Sequence, residues 1–189
     1  MTADGTAAGS ADTERVIETP RLTLEPQCAT HAEAMFALLG DPAIYRYENE
    51  PPNSLPWLRE RFAKLETRHS GDGREQWLNW VARRRGAGLV GYVQATVQAD
   101  GLAYVAYVLG SEHWGQGLAS EAVAAMADEL AMHYGVHTLL AVFKRANDRS
   151  RRLLERNGFV AAEPDDPMRA AIGDDEDLMR RRVAATVPR

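Results

Sequence analysis

The sequence predicts one α+β domain, a mixed and mostly antiparallel sheet flanked by helices. Three observations predict it. Residues 77–83, 88–98 and 102–109 are rich in Val, Tyr, Trp and Thr and are separated by short turns, which reads as three antiparallel strands in series. Between 117 and 134, Leu118, Ala122, Met126, Leu130 and Tyr134 recur every fourth residue, the spacing of one buried helix face. A strand at 137–143 and a shorter helix at 147–157 then follow, so strands and helices share one sheet.

The elements are justified in chain order. Residues 1–15 hold three acids, no periodicity and no apolar core, so they read as a loose tail rather than a secretory signal, with the domain over 16–189. Leu22 and Leu24 alternate with polar neighbours after Pro20, a first strand over 18–25. Thr30 is placed to cap a helix carrying Ala34, Met35, Leu38 and Leu39, stopped by Gly40 and Pro42. Residues 50–56, with three prolines, read as a loop. A second helix runs through Trp57, Leu58, Phe62 and Leu65 and ends near 70–73. Asp100-Gly101 signals a hairpin, and the glycines at 86 and 88 signal another. Gly135 and Gly158 stand where left-handed residues close helices. A last strand pair is expected at 159–162 and 178–183.

Composition narrows the function. The 189 residues carry 22 basic and 27 acidic side chains, a net charge of −5. Seven of the acids fall within 163–177; outside it 21 bases face 20 acids, and no basic face recommends nucleic acid as a partner. That segment is a solvated loop or an attractor for a cationic acceptor. No run approaches the roughly 18 apolar residues of a membrane helix, so a cytoplasmic protein without a membrane partner is expected. The one cysteine, Cys28, excludes an internal disulfide and a multi-cysteine zinc site, and no metal is expected.

Chemistry concentrates in the run from Val108 to Glu121, where a strand enters a turn with Gly115 and Gly117 and a helix starts at once. That arrangement gathers unpaired N–H groups at the positive end of a helix dipole, which suits a phosphate. A dinucleotide fingerprint fails, because Ser120 holds its third glycine position and antiparallel strands precede it. A P-loop fails for want of Gly-Lys-Ser/Thr.

The run from Trp114 to Ala122 resembles the coenzyme-binding turn of the GNAT superfamily of N-acetyltransferases, Arg/Gln-x-x-Gly-x-Gly/Ala, with Trp114 standing at the Arg/Gln position. The run from Asn147 to Phe159 is similar to the family's second signature, Asn-x-x-Ser followed by Gly-Phe, and residues 19–24 resemble the first strand of the RimJ/RimL-like subgroup. The resemblance implies the GNAT fold, with a V-shaped splay between the strands ending at Leu109 and Phe143, and acetyl-CoA as cosubstrate in it. It assigns coenzyme contacts to Val108, Leu109, Gly110, Gly115, Gln116, Gly117, Leu118, Ala119, Ser120, Asn147 and Ser150. Ser150 is also the candidate acid for the leaving thiolate. Arg149, Arg151 and Arg152 flank the expected coenzyme and are candidates to meet its 3′-phosphate. Homodimers are common in the family and are carried over as an expectation.

A general base is harder to find. Tyr104 occupies the place where subgroup members often carry a carboxylate, Ala106 and Tyr107 lie nearby, and Glu112 lies just past the strand end. Tyr47 and Glu48 are candidates for the wall of an acceptor pocket. An α-amine is roughly 10–15% neutral at pH 7 and a lysine roughly 0.04%, so a site without a carboxylate base suits α-amines, a protein N-terminus or a small amine. The rival reading is a non-catalytic acyl-CoA-binding regulatory module.

Overall fold

The computed structural model describes residues 15–47 and 49–184. The expected tail therefore lies, Arg15 excepted, outside the described residues, as does Glu48. An eight-stranded sheet runs in the order β1 (Ile17–Glu18), β2 (Leu22–Pro26), β3 (Glu75–Arg84), β4 (Leu89–Gln98), β5 (Leu102–Leu109), β6 (Thr138–Lys144), β8 (Glu176–Arg182), β7 (Val160–Ala161), all antiparallel except for β5 beside β6.

The predicted first strand is two. β1 (Ile17–Glu18) and β2 (Leu22–Pro26) pair as a hairpin, because Thr19 closes on Leu22 through its N–H (2.9 Å), its hydroxyl (2.9 Å) and the return bond from Leu22 N–H (2.8 Å). Thr30 does not cap the first helix. It sits in a 3₁₀ turn over Ala29–His31, its hydroxyl 3.0 Å from Cys28 Sγ, and α1 (Ala32–Leu39) begins after it. The second helix, α2 (Leu55–Leu65), is displaced toward the N-terminus at both ends. Ser54 caps it by accepting from Trp57 N–H (3.2 Å), and Pro56 fits a first turn, where its missing N–H has no partner to lose. Its far end stops at Leu65 because the Thr67 hydroxyl takes the Lys64 carbonyl (2.9 Å) and Arg68 turns left-handed at φ 64°.

The three central strands fall as predicted: β3 (Glu75–Arg84), β4 (Leu89–Gln98) and β5 (Leu102–Leu109). The long helix α3 (Leu118–His133), strand β6 (Thr138–Lys144), helix α4 (Asp148–Arg156) and strands β7 (Val160–Ala161) and β8 (Glu176–Arg182) complete the chain. α3 lays Leu118, Ala122, Val123, Met126, Ala127 and Leu130 on one sheet face, over Leu22, Trp80, Val93 and Val105, and this is the main core. α1 and α2 cover the other face with Met35, Leu39, Leu58 and Phe62 against Val81. Large apolar side chains with almost no exposure dominate both clusters, the main source of stability in such a domain.

Two features of the sheet prepare a site. β5 pairs with β6 only over Leu102–Tyr104 opposite Thr138–Leu140. Beyond that, β5 stays on β4 up to Leu109 and β6 stays on β8 up to Lys144, so the pair diverges and opens a V. At its mouth Gly91 permits a close approach: a Cβ there would lie 2.0 Å from the Val108 carbonyl oxygen and 2.8 Å from Leu109 Cα.

Candidate active site

A cavity of about 630 Å³ passes through the V, within the range of small-molecule sites. On the α3/α4 face it is lined by Trp114, Ala119, Phe143, Asn147, Arg149 and Ser150; on the α1/α2 face by Gln27, Tyr45, Trp57, Phe62, Tyr92 and Gln94; and between them by residues 105–109 of β5.

The backbone of β5 sets what that edge offers. Gly110 N–H donates to the Val90 carbonyl (3.1 Å), and the Val108 carbonyl points at Gly91. Antiparallel strands alternate the direction of their backbone groups. Val108 therefore spends its groups on β4 and Gly110 its N–H, the Gly110 carbonyl accepting instead from His113 N–H (3.0 Å), while Tyr107 and Leu109 turn theirs toward the V, where β6 has already departed. Of the three residues 108–110 to which the resemblance assigns coenzyme contacts, Leu109 is thus the one whose backbone faces the V. The Leu109 carbonyl accepts from Trp114 Nε1 (2.8 Å), and the Arg149 guanidinium lies 3.6 Å from the Trp114 ring centroid, a cation–π stack across the mouth.

The turn before α3 is built for main-chain donors. Gly115 and Gly117 are left-handed (φ 73° and 76°), and Gly117 begins the helix with no capping side chain. Glu121 N–H is the first to reach an acceptor within the helix, the Gly117 carbonyl (3.1 Å), so the N–H groups of Leu118, Ala119 and Ser120 have none there. The side chains of this turn have other duties. Leu118 is in the core, Ser120 Oγ accepts from Asn157 Nδ2 (2.7 Å), and Gln116 is braced by Arg84 (3.1 Å) and by the Glu112 carbonyl (3.0 Å). Glu121 ties the turn to the N-terminal hairpin, accepting from the Thr19 hydroxyl (2.6 Å), Arg21 N–H (2.8 Å) and Arg21 Nε (2.6 Å). Burial pushes the Glu121 carboxyl up, but these donors outweigh it and hold it below the ordinary range.

Asn147 caps α4, its Oδ1 accepting from Ser150 N–H (3.1 Å), and both residues line the cavity. Ser150 Oγ lies 2.6 Å from the Tyr107 hydroxyl. Burial pushes the Tyr107 hydroxyl up to about 12, against the lowering effect of the Ser150 hydrogen bond. Sequence reasoning noted Tyr107 only as a neighbour. Parity would have found it, since Tyr107 shares a face with Val105 and Leu109, and Tyr104 does not.

Tyr104 and Glu112 are not brought to this site. The Tyr104 hydroxyl faces Met168 Sδ (3.3 Å) where β5 and β6 are still joined; burial pushes its pKa up, away from what a base needs. Glu112 follows the strand on a 3₁₀ turn with its side chain 79% exposed, 3.3 Å from His113. Among the flanking arginines, Arg149 lines the cavity, Arg151 is held by Asp177 (2.6 Å), and Arg152 is exposed. The acidic segment is largely answered from within: Lys144 takes Asp175 (2.9 Å) and Glu176 (3.1 Å), and Arg180 takes Asp166 (2.6 Å).

The family model for the acetyltransferase (GNAT) domain matches residues 21–160. The chain belongs to the GNAT acetyltransferase family. An uncharacterised N-acetyltransferase of Bacillus subtilis (strain 168), YoaA, is 26% identical over 148 residues, 76% of this chain and 82% of that one. Among solved structures, the fold is shared with RimL, the ribosomal L7/L12 α-N-protein acetyltransferase, in complex with coenzyme A. That match has a TM-score of 0.78 at 17% identity and covers 91% of this chain and all of RimL. The microcin C7 self-immunity acetyltransferase MccE, in complex with acetyl-CoA and AMP, matches with a TM-score of 0.72 at 16% identity, over 87% of this chain and 94% of MccE. The V in the sheet and the glycine turn ahead of α3 are thus features of a GNAT acetyltransferase.

Proposed function

We propose that this enzyme transfers an acetyl group from acetyl-CoA to a primary amine by direct attack in a ternary complex, with residues 16–189 acting as one catalytic domain. The observation that carries the reading is the cavity through the V, which reaches the donor-rich start of α3 at Ala119 on one sheet face and an aromatic chamber on the other. RimL and MccE, whose structures hold coenzyme A and acetyl-CoA, support the choice of cosubstrate.

Bound acetyl-CoA supplies an acetyl group activated as a thioester. The N–H groups of Leu118, Ala119 and Ser120, at the positive end of α3, fit a pyrophosphate, and Arg149 adds a cation at the same mouth. The backbone groups of Tyr107 and the N–H of Leu109, whose carbonyl is taken by Trp114, continue the strand edge for an amide-bearing arm, and an N–H there is suited to the charge that builds on a carbonyl oxygen. Asn147 has committed its oxygen to the helix cap, which leaves its NH₂ for the cavity. The Ser150–Tyr107 pair is the source of hydrogen bonding for a departing thiolate.

Among the described residues, Glu50 is the one carboxylate lining the cavity, and it is exposed. An amine already partly neutral at pH 7 fits such a site best, so an α-amine is the preferred acceptor. RimL, by its name an α-N-protein acetyltransferase, supports that class. No helix among the described residues is long and apolar enough to cross a membrane, and we assign the reaction to the cytoplasm. The test is thiol release and acetyl incorporation with acetyl-CoA and two matched peptides, one with a free N-terminus and one blocked there but carrying lysine. Faster turnover on the free N-terminus is expected. Faster turnover on lysine refutes the preference, and coenzyme binding without transfer to any amine replaces the enzyme with an acyl-CoA-binding regulatory module.

A further inference from the structure

A row of carboxamides runs across the sheet beneath the acceptor half of the cavity and reaches its wall at Gln27 and Gln94. Gln27 N–H donates to the Asn79 carbonyl (2.8 Å), extending the β2–β3 register by one residue beyond Pro26 opposite Trp80. Asn79 stands opposite Gln94, and Gln94 opposite Ala106. Directly opposed residues project from the same sheet face. The row therefore runs Gln27, Asn79, Gln94 and ends at Ala106, on the strand that edges the V. Gln27, Gln94 and Ala106 line the cavity. Gln27 is only 3% exposed, yet its Nε2 is buried and makes no hydrogen bond. A buried polar group left unpaired is uncommon enough to need a reason.

The surroundings say what would complete it. Tyr45, Tyr92, Trp57 and Phe62 wall this half of the cavity. The nearby carboxylate on β2, Glu25, is held by Arg83 and by His31, so no free negative charge waits beside Gln27 for an ammonium. The natural complement of a carboxamide is another amide, which accepts from its NH₂ and donates to its oxygen. Distance fixes how far from the amine that amide lies. Gln27 is three strands from Ala106, roughly 14 Å at about 4.8 Å per strand, and an extended peptide covers that in about four residues at roughly 3.4 Å each.

We infer that the acceptor is the N-terminal segment of a peptide laid across this row, with its amine at the V near Ala106, and that Gln27 reads a backbone amide three to four residues along it. Gln94 lies under the first peptide units on the way. The inference rests on the reading of the cavity as an N-acetyltransferase site. Gln27 is a positioning residue for the acceptor and takes no part in acetyl transfer itself.

The experiment compares kcat/KM for peptide amides of two and five residues sharing one N-terminal sequence, for the natural chain and for Gln27→Leu. One recovered hydrogen bond in a dry site is worth about fivefold to tenfold. The natural chain should favour the longer peptide by that factor or more, and Gln27→Leu should bring the ratio close to one. A pentapeptide with its third and fourth amides replaced by trans-alkene isosteres, which offer neither an acceptor to Gln27 Nε2 nor a donor to its oxygen, should lose the same advantage with the natural chain, which makes the test independent of how the variant folds. Peptide turnover indifferent to length and to Gln27→Leu overturns this inference while leaving the acetyltransferase reading intact. Transfer to small amines but to no peptide overturns it too, and transfer to nothing overturns both.

Discussion

Replacing Tyr107 with Phe tests how the leaving group is handled. The Tyr107 hydroxyl lies 2.6 Å from Ser150 Oγ, and burial raises its pKa to about 12. An ordinary thiol has a pKa of about 8.5, so a full proton transfer from this phenol is uphill by roughly 3.5 pH units, or about 5 kcal/mol. Tyr107 thus stays protonated across the working pH range and acts by hydrogen bonding through Ser150, its role ending only as pH rises through about 12. A hydrogen bond to a charged group is worth about 1.5–3 kcal/mol, so Tyr107→Phe should lower kcat by a factor of roughly 10–150. Coenzyme affinity, measured by calorimetry, should barely move, because the ring and its packing remain. Ser150→Ala should cost a similar factor, and the double variant little more than either, since both remove one relay. The assay is steady-state thiol release under saturating acceptor. The reasoning is refuted if Tyr107→Phe retains full kcat, if the two costs add independently, or if an alkaline limb near pH 8–9 vanishes in Tyr107→Phe.

Three further outcomes follow from the same geometry. Gly91→Ala drives a Cβ to 2.0 Å from the Val108 oxygen and should cost about 3 kcal/mol or more, roughly 6–12 °C in Tm; a shift under 2 °C means β4 and β5 can part there freely. Arg149→Ala removes the cation over Trp114 and should weaken acetyl-CoA binding about 5- to 30-fold at low salt, with a shallower salt dependence in titration calorimetry; unchanged affinity would leave Arg149 only a stacking partner. In acid, Glu25 is lowered chiefly by the Arg83 hydrogen bond, while at Glu121 and Asp177 partner hydrogen bonds overcome the upward push of burial. Folded values below unfolded ones mean stability is complete above about pH 4.3 and falls as pH drops through the folded values. Thermal unfolding from pH 7 to 3 should therefore be flat and then decline, and Glu121→Gln should make the decline gentler.

The order and kind of the main elements were legible in the sequence because their causes are local. Runs rich in Val, Tyr, Trp and Thr between short turns specified β3, β4 and β5, and a four-residue recurrence specified α3 from Leu118 to Leu130. Gly115 and Gly117 marked the turn before it, since left-handed backbone is a demand a single residue type meets cheaply. The hairpin at Thr19 and the early start of α2 at Ser54 were missed. There, hydrogen bonds with specific partners outvoted the patterns read for residues 18–25 and 50–56.

What the sequence could not rank was which side chains meet. Tyr104 and Tyr107 look alike in a list, but strand parity and the point where β6 leaves β5 send one to Met168 and the other to Ser150. The same holds for β5's backbone: only its register against β4 decides that Tyr107 and Leu109, rather than Val108 and Gly110, face the V. The carboxamide row joins residues as far apart as Gln27, Asn79 and Gln94 through two strand registers that no local pattern encodes. Spacing along a chain fixes periodicity and turns, whereas the choice of partners is a long-range outcome of pairing and packing. The sequence by itself therefore determined the family and the glycine turn ahead of α3, and the tertiary structure decided which residues share the cavity.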